Sequence, residues 1–162
     1  MQVDFCVETA KILKRHGVHV AVDTSGFVKR EVLDAIIPYM DTFLFDIKAI
    51  DEEVHVACTG VSNKLILENI AYVDSLGIPF EIRYPYVPTM NDGEAEKITH
   101  FVKNLKHMRC FRILPYHNYA ASKYTCLGLT FTDFPVPSKA QMQSVLEDVR
   151  RCGVENATCF HL

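Results

Sequence analysis

Four short apolar runs in this chain each close on groups that can carry charge or bind it. Val20-Ala21-Val22 is followed by Asp23 and Thr24, and Phe43-Leu44-Phe45 by Asp46 and Lys48. The run from 79 reaches Arg83 and Tyr84, and the run 109–114 leads into Pro115-Tyr116-His117. A β-rich apolar run that ends in charge reads as a buried parallel strand whose C-terminal end opens on a site. Two carboxylates and an amine at neighbouring strand ends are costly to hold together unless something binds there. A strand has period two, so Leu44, Asp46 and Lys48 share a face. The expectation is that Asp23, Asp46, Lys48 and His117 look into one cavity. Singly, each residue has an ordinary account as well. Asp23 can cap the turn at Ser25-Gly26, Lys48 can be solvated, Arg83 can pair with a surface carboxylate, and His117 can be a loop histidine. One chemistry open to the set is a Schiff base on Lys48 with Asp23 and Asp46 as acid and base.

The elements that must position these groups alternate along the chain. A helix is expected over 4–16, with Val3, Cys6, Ala10 and Leu13 on one face and Gly17 after it. A strand is expected at 18–23, a helix at 29–37 closed by Pro38, and a strand at 42–47. Residues 51–62 read as an irregular connection or one helical turn. Ser62 then caps a helix to Leu76, and a strand follows at 79–84. Asn91 and Asp92 are expected to cap the next helix, ahead of a strand at 109–114. Residues 118–137 have no clear period and read as a long loop of the kind that forms lids. Ser138 with Gln141 has the form of a capping box, and a last strand is expected at 157–161. Strands alternating with helices imply a parallel sheet with right-handed crossovers. The fold expected is α/β: a single domain over 1–162, a partial (β/α) barrel with four to five parallel strands.

The chain has 162 residues, 49% hydrophobic and 23% charged, which suits a globular core rather than disorder. A net charge of −3 gives no electrostatic case for nucleic acid. No apolar run approaches the ~20 residues of a membrane span. Met1-Gln2-Val3-Asp4 lacks the layout of a signal peptide, so a cytoplasmic location is expected. Cys6, Cys58, Cys110, Cys126, Cys152 and Cys159 are scattered, unlike the close spacing of a zinc or iron–sulfur site. They read as buried or free thiols; Cys159 and His161 would share one strand face.

Val22-Asp23-Thr24-Ser25-Gly26-Phe27 resembles the Asp-Thr-Asn-Gly-Phe segment of glycyl-radical-enzyme activating enzymes, above all the pyruvate formate-lyase activases of the radical S-adenosylmethionine (SAM) superfamily. The likeness continues through Phe45-Asp46-Ile47-Lys48, Thr59-Gly60-Val61-Ser62-Asn63, Ile82-Arg83-Tyr84, Val87-Pro88 and Leu114-Pro115-Tyr116-His117. Order and approximate spacing hold over roughly residues 1–125, with Ser25 in place of Asn a mild departure. The resemblance implies that Asp23, Thr24, Asp46 and the Leu44 carbonyl hold a monovalent cation beside SAM, a task suited to hard oxygen ligands. It implies that Asp46, Ile47, Lys48 and Ala49 contact SAM, that His117 lies near its nucleoside end, and that Arg83 lines the cavity. In such enzymes a [4Fe–4S] cluster supplies an electron, SAM is cleaved to a 5′-deoxyadenosyl radical, and that radical takes a glycine hydrogen from a partner enzyme. A flavodoxin-type donor is the implied electron source.

The family's closely spaced three-cysteine motif and its Gly-Gly-Glu segment have no counterpart here; in the family both precede the Asp-Thr-Asn-Gly segment. Only 22 residues precede Asp23. The chain is therefore read as the C-terminal portion of an activase, inactive alone, with no iron–sulfur ligands of its own. The alternatives are a lyase working through Lys48 and a non-catalytic domain that binds a partner protein. An unpaired strand at 18–23 is expected to favour self-association.

Overall fold

The structure, a computed structural model, describes residues 2–160. Its elements run α1 (Val3–Arg15), β1 (Ala21–Thr24), α2 (Arg30–Ile36) with a 3-10 turn at Ile37–Tyr39, β2 (Thr42–Asp46), α3 (Glu52–Thr59), α4 (Lys64–Ser75), β3 (Phe80–Tyr86), α5 (Glu94–Val102), β4 (Met108–Pro115), α6 (Ala121–Cys126), α7 (Lys139–Arg151) and β5 (Ala157–Cys159). The five strands form one sheet in the order β1-β2-β3-β4-β5, and every pair is parallel. Sequential order with right-handed crossovers puts the helices on one side. This is the arrangement of a partial (β/α) barrel.

Alternate strand residues separate the two faces. Phe43, Phe45, Phe80, Ile82, Tyr84, Phe111 and Ile113 are fully buried under the helices. There Phe43 stacks on Phe45 at 5.5 Å and Phe80 meets Phe45 edge-on at 6.1 Å. The intervening residues Leu44, Asp46, Glu81, Arg83, Arg112 and Leu114 are only partly buried and form the other, open face. Val20 is buried and Val22 packs against the core, so the apolar side of β1 faces the helices, whereas Leu44 belongs to the open face.

Several elements differ from expectation for local reasons. β1 begins at Ala21 rather than 18, because Asp41 closes the ladder from outside: its N–H donates to the Val20 carbonyl and its carboxylate accepts from the Val20 N–H, both at 2.8 Å. Pro38 does not close α2 but lies within the 3-10 turn. Residues 51–62 contain the two-turn helix α3, capped by the Asp51 carboxylate on the N–H groups of Glu53 and Val54 and ended by Gly60 at φ +81°. Asn91 and Asp92 do not cap α5; the cap position is Gly93. Asp92 instead accepts from the Tyr86 hydroxyl and the Thr89 N–H. The long loop 118–137 holds the short helix α6. The Ser138–Gln141 capping box forms as expected. β5 ends at Cys159, and His161 lies outside the described residues.

β3 runs two residues beyond expectation and contains Pro85. A proline in a central strand normally removes a ladder bond. Here the β2–β3 ladder has already ended at Asp46 and Arg83, and Ile47 N–H donates to the Arg83 carbonyl. In a parallel strand alternate residues face the same neighbour, so Pro85 faces the β2 side, where its missing N–H has no strand to serve.

Candidate functional site

The ends of β1, β2 and β3 place four charged side chains in one chain of ion pairs on the open face. Asp46 and Arg83 are register partners, as are Asp23 and Leu44. Arg83 Nε donates to Asp46 Oδ1 at 2.9 Å, an Arg83 Nη reaches Asp23 Oδ1, and Lys48 Nζ donates to Asp46 Oδ2 at 2.7 Å. The order is thus Asp23, Arg83, Asp46, Lys48, with two carboxylates balancing two cations. Burial opposes the guanidinium charge, but Asp23 and Asp46 outweigh it and hold the Arg83 pKa above its ordinary value. The Asp23 side chain is 64% exposed against 17% for Arg83, so the cluster opens to solvent at the β1 side.

The other residues singled out from the sequence fall in different places. Thr24 Oγ1 accepts from Gly26 N–H at 3.0 Å and so braces the turn after β1. Ile47 and Ala49 are 1% and 0% exposed with side chains in the core, so toward the open face they can offer main chain only. His117 is outside the ion-pair chain: it is exposed and its ring stacks on Tyr119 at 4.2 Å. Tyr116 bonds the long loop through Asp133 at 3.1 Å.

Two further features belong to this part of the molecule. Glu81 and Arg112 form a second ion pair on the open face, with Arg112 Nε and Nη2 at 3.1 and 3.0 Å from one Glu81 oxygen. Period two from Arg83 back to Glu81 signals that pair. The second is His55 on α3, 1% exposed, with both ring nitrogens lacking a hydrogen-bond partner. Burial holds its pKa below the ordinary 6.5; the Ala49 main chain nearby, too poorly placed for a hydrogen bond, opposes this and the charge of Lys48 adds to it. The unfolded chain takes up that proton near 6.5 while the folded chain resists it, so stability should fall as pH drops below 6.5. His55→Leu should flatten the urea-midpoint profile below that pH. An unchanged acid slope would assign the loss to other groups.

All six cysteines are free, and among the described residues no group of three or more His, Cys, Asp or Glu side chains could hold a metal ion. No helix among the described residues is long and apolar enough to cross a bilayer.

A partial (β/α) barrel with its charged groups gathered at the C-terminal strand ends is the arrangement of a barrel enzyme. The radical SAM superfamily model matches residues 1–102, and the chain belongs to that superfamily. The superfamily uses SAM and a [4Fe–4S] cluster. The trans-4-hydroxy-L-proline dehydratase activating enzyme of Clostridioides difficile is 38% identical over 75% of this chain and 41% of its own length. The choline trimethylamine-lyase activating enzyme of Oleidesulfovibrio alaskensis is 31% identical over 94% of this chain and 50% of its own, and the pyruvate formate-lyase-activating enzyme of Streptococcus mutans 33% over 81% and 53%. The chain thus spans about half the length of the curated relatives it matches. Among solved structures, a domain of a pyruvate-formate lyase-activating enzyme from Bacteroides vulgatus superposes with TM-score 0.81 and 25% identity, over 98% of this chain and 91% of that one. Streptococcus suis SuiB, solved bound to S-adenosylmethionine, shares the fold at TM-score 0.75 and 12% identity, over 96% of this chain and 36% of that one.

Proposed function

We propose that this chain carries the SAM-binding strand ends of a glycyl-radical-enzyme activase, whose partner is a glycyl radical enzyme such as pyruvate formate-lyase and whose electron donor is of the flavodoxin type. The observation that supports this most is the ion-paired set Asp23, Arg83, Asp46 and Lys48 on the open face of a partial barrel. Its donors suit a ligand that bears both charges. Lys48 and Arg83 answer a carboxylate, and Asp23 and Asp46 answer an ammonium or sulfonium. Main chain at Ile47 and Ala49 and the exposed ring of His117 complete the surface, His117 on the nucleoside side. SAM, when bound, is the precursor of the 5′-deoxyadenosyl radical. The cluster cysteines must come from outside the described residues, and alone the chain is inactive.

Asp23, Thr24, the Leu44 carbonyl and Asp46 are the proposed seat of a monovalent cation. Arg83 lies between the two carboxylates, so a cation enters only as the guanidinium withdraws. The lyase alternative is less well supported. Lys48 Nζ is held by Asp46 at 2.7 Å, whereas a Schiff-base lysine must present a free amine.

With only part of the site in hand, SAM should bind weakly, roughly in the millimolar range, about −4 kcal/mol. Nuclear magnetic resonance detects binding of that strength. Titration of the labelled chain with SAM should shift the amides of Ile47, Lys48 and Ala49 and the Arg83 Nε–H signal together. Shifts confined to other residues would remove these groups from the site.

A further inference from the structure

The main chain just past β2 is held in an unusual way. The ladder to β3 stops at Asp46 and Arg83, apart from Ile47 N–H on the Arg83 carbonyl at 2.9 Å. Residues 48–51 have no strand beside them, yet Ala49 is fully buried and Lys48, Ile50 and Asp51 are half-buried. Main-chain groups taken from water must find partners. Three side chains at the N-terminal approaches to α4 and α5 provide them. Asn63 Nδ2 donates to the carbonyls of Ala49 and Ile50 at 3.1 and 2.8 Å. Asn91 Nδ2 donates to the carbonyls of Lys48 and Pro85 at 2.9 and 2.8 Å, while its Oδ1 accepts from Val87 N–H at 2.8 Å. Glu94 Oε2 accepts from the N–H groups of Ile50 and Asp51 at 2.7 and 3.0 Å, its other oxygen meeting Lys97 Nζ at 2.7 Å.

Asn63, Asn91 and Glu94 are 3%, 1% and 1% exposed. Residues of these types are rarely buried so completely unless their polar groups are matched. What they match is the stretch from which Lys48 departs. With Ile47 and Ala49 anchored inward, Lys48 is turned outward to Asp46. Asn91 also takes Lys48 and Pro85 carbonyls at once, so it joins the end of β2 to the end of β3 where no ladder bond does. The ladder register brings Asp46 level with Arg83, and the place of Lys48 beside them is set at this joint.

We propose that Asn63, Asn91 and Glu94 are positioning residues: a buried clamp that fixes the peptides from Lys48 to Asp51 and thereby aims Lys48 at Asp46. The clamp stands on the hydrogen bonds; its effect on a ligand rests on the proposed SAM reading.

The test uses the full chain, labelled for magnetic resonance, in three variants. Glu94→Ala should speed exchange of the Ile50 and Asp51 amides at least tenfold and leave those of Ile70 and Phe111 unchanged. Glu94→Gln, which keeps an acceptor oxygen, should restore both amides to within threefold of the parent and restore the SAM response at Lys48 that Glu94→Ala loses. Asn63→Ala removes one arm only and guards against a variant that does not fold. It should move the carbonyl-carbon resonances of Ala49 and Ile50 and weaken the SAM response at Lys48 at least threefold. The clamp is overturned if Ile50 and Asp51 exchange is unmoved, if Ile70 and Phe111 speed up equally, if Gln does not rescue, or if Asn63→Ala leaves those carbonyls in place. A parent chain with no SAM response overturns the SAM reading instead, and the exchange data still decide the clamp.

Discussion

Asp46→Asn should weaken SAM binding at least tenfold, about 1.4 kcal/mol or more. Both carboxylate oxygens of Asp46 are in use, one by Arg83 and one by Lys48. Asparagine keeps an acceptor for one of them but brings an amide donor against the other, and it removes the charge that lets two cations share the strand ends. The exposed Asp23 is then the one carboxylate left on Arg83. The cluster is only partly buried, so stability should fall less than for a fully enclosed ion pair, by about 1–3 kcal/mol. Urea midpoints measure that loss and the SAM titration measures the binding. Adding Arg83→Gln tests the interaction directly. If the two residues act as a pair, the double variant should be more stable than the sum of the single effects implies. Strict additivity would mean that the Arg83–Asp46 contact contributes nothing to the fold.

Phe45→Ala should be the most damaging change to the sheet, costing about 3–5 kcal/mol, as large-to-small aromatic truncations in cores do. Phe45 is fully buried between Phe43 and Phe80. It also lies directly beneath the turn after β1. Gly26 has φ +76°, and a Cβ added there would meet the Phe45 ring at 3.2 Å. The ring therefore supports the turn that carries Asp23 and Thr24 as well as the core. The melting temperature should fall by about 10 °C for a chain of this size. Phe45→Leu, which refills most of the space, should recover more than half of that. A loss below about 1 kcal/mol for Phe45→Ala would show that the core closes over the cavity, contrary to the rigid packing described.

Short apolar runs that close on charge mark the strands, which is why Asp46 with Lys48 and Asp23 with Arg83 are legible in the sequence as strand-end groups. The helices were legible where a stripe of period 3.6 or a capping pair marked them, as in α1, α4 and α7. The misreadings have one character. Two turns hold too few residues to show a period, so α3 and its Asp51 cap leave no mark in the sequence. Asn91 and Asp92 read as a cap because that is the usual local use of such residues ahead of a helix. Nothing local reveals that Asn91 instead reaches a carbonyl 43 positions away.

The order of elements and the charge at the strand ends are already written in the chain: it reads as α/β with parallel strands and gathered charges. Side-chain period and the alternation of elements are local properties, so they survive without coordinates. Which charges meet depends on the folded sheet. Arg83 pairs with Asp46 and Asp23 because the registers of three strands bring them level, while His117 at the end of β4 turns instead to Tyr119. The buried bonds of Asn63, Asn91 and Glu94 were likewise decided there, since the groups they satisfy come from distant parts of the chain. Which donor finds which acceptor in the interior depends on packing rather than on spacing.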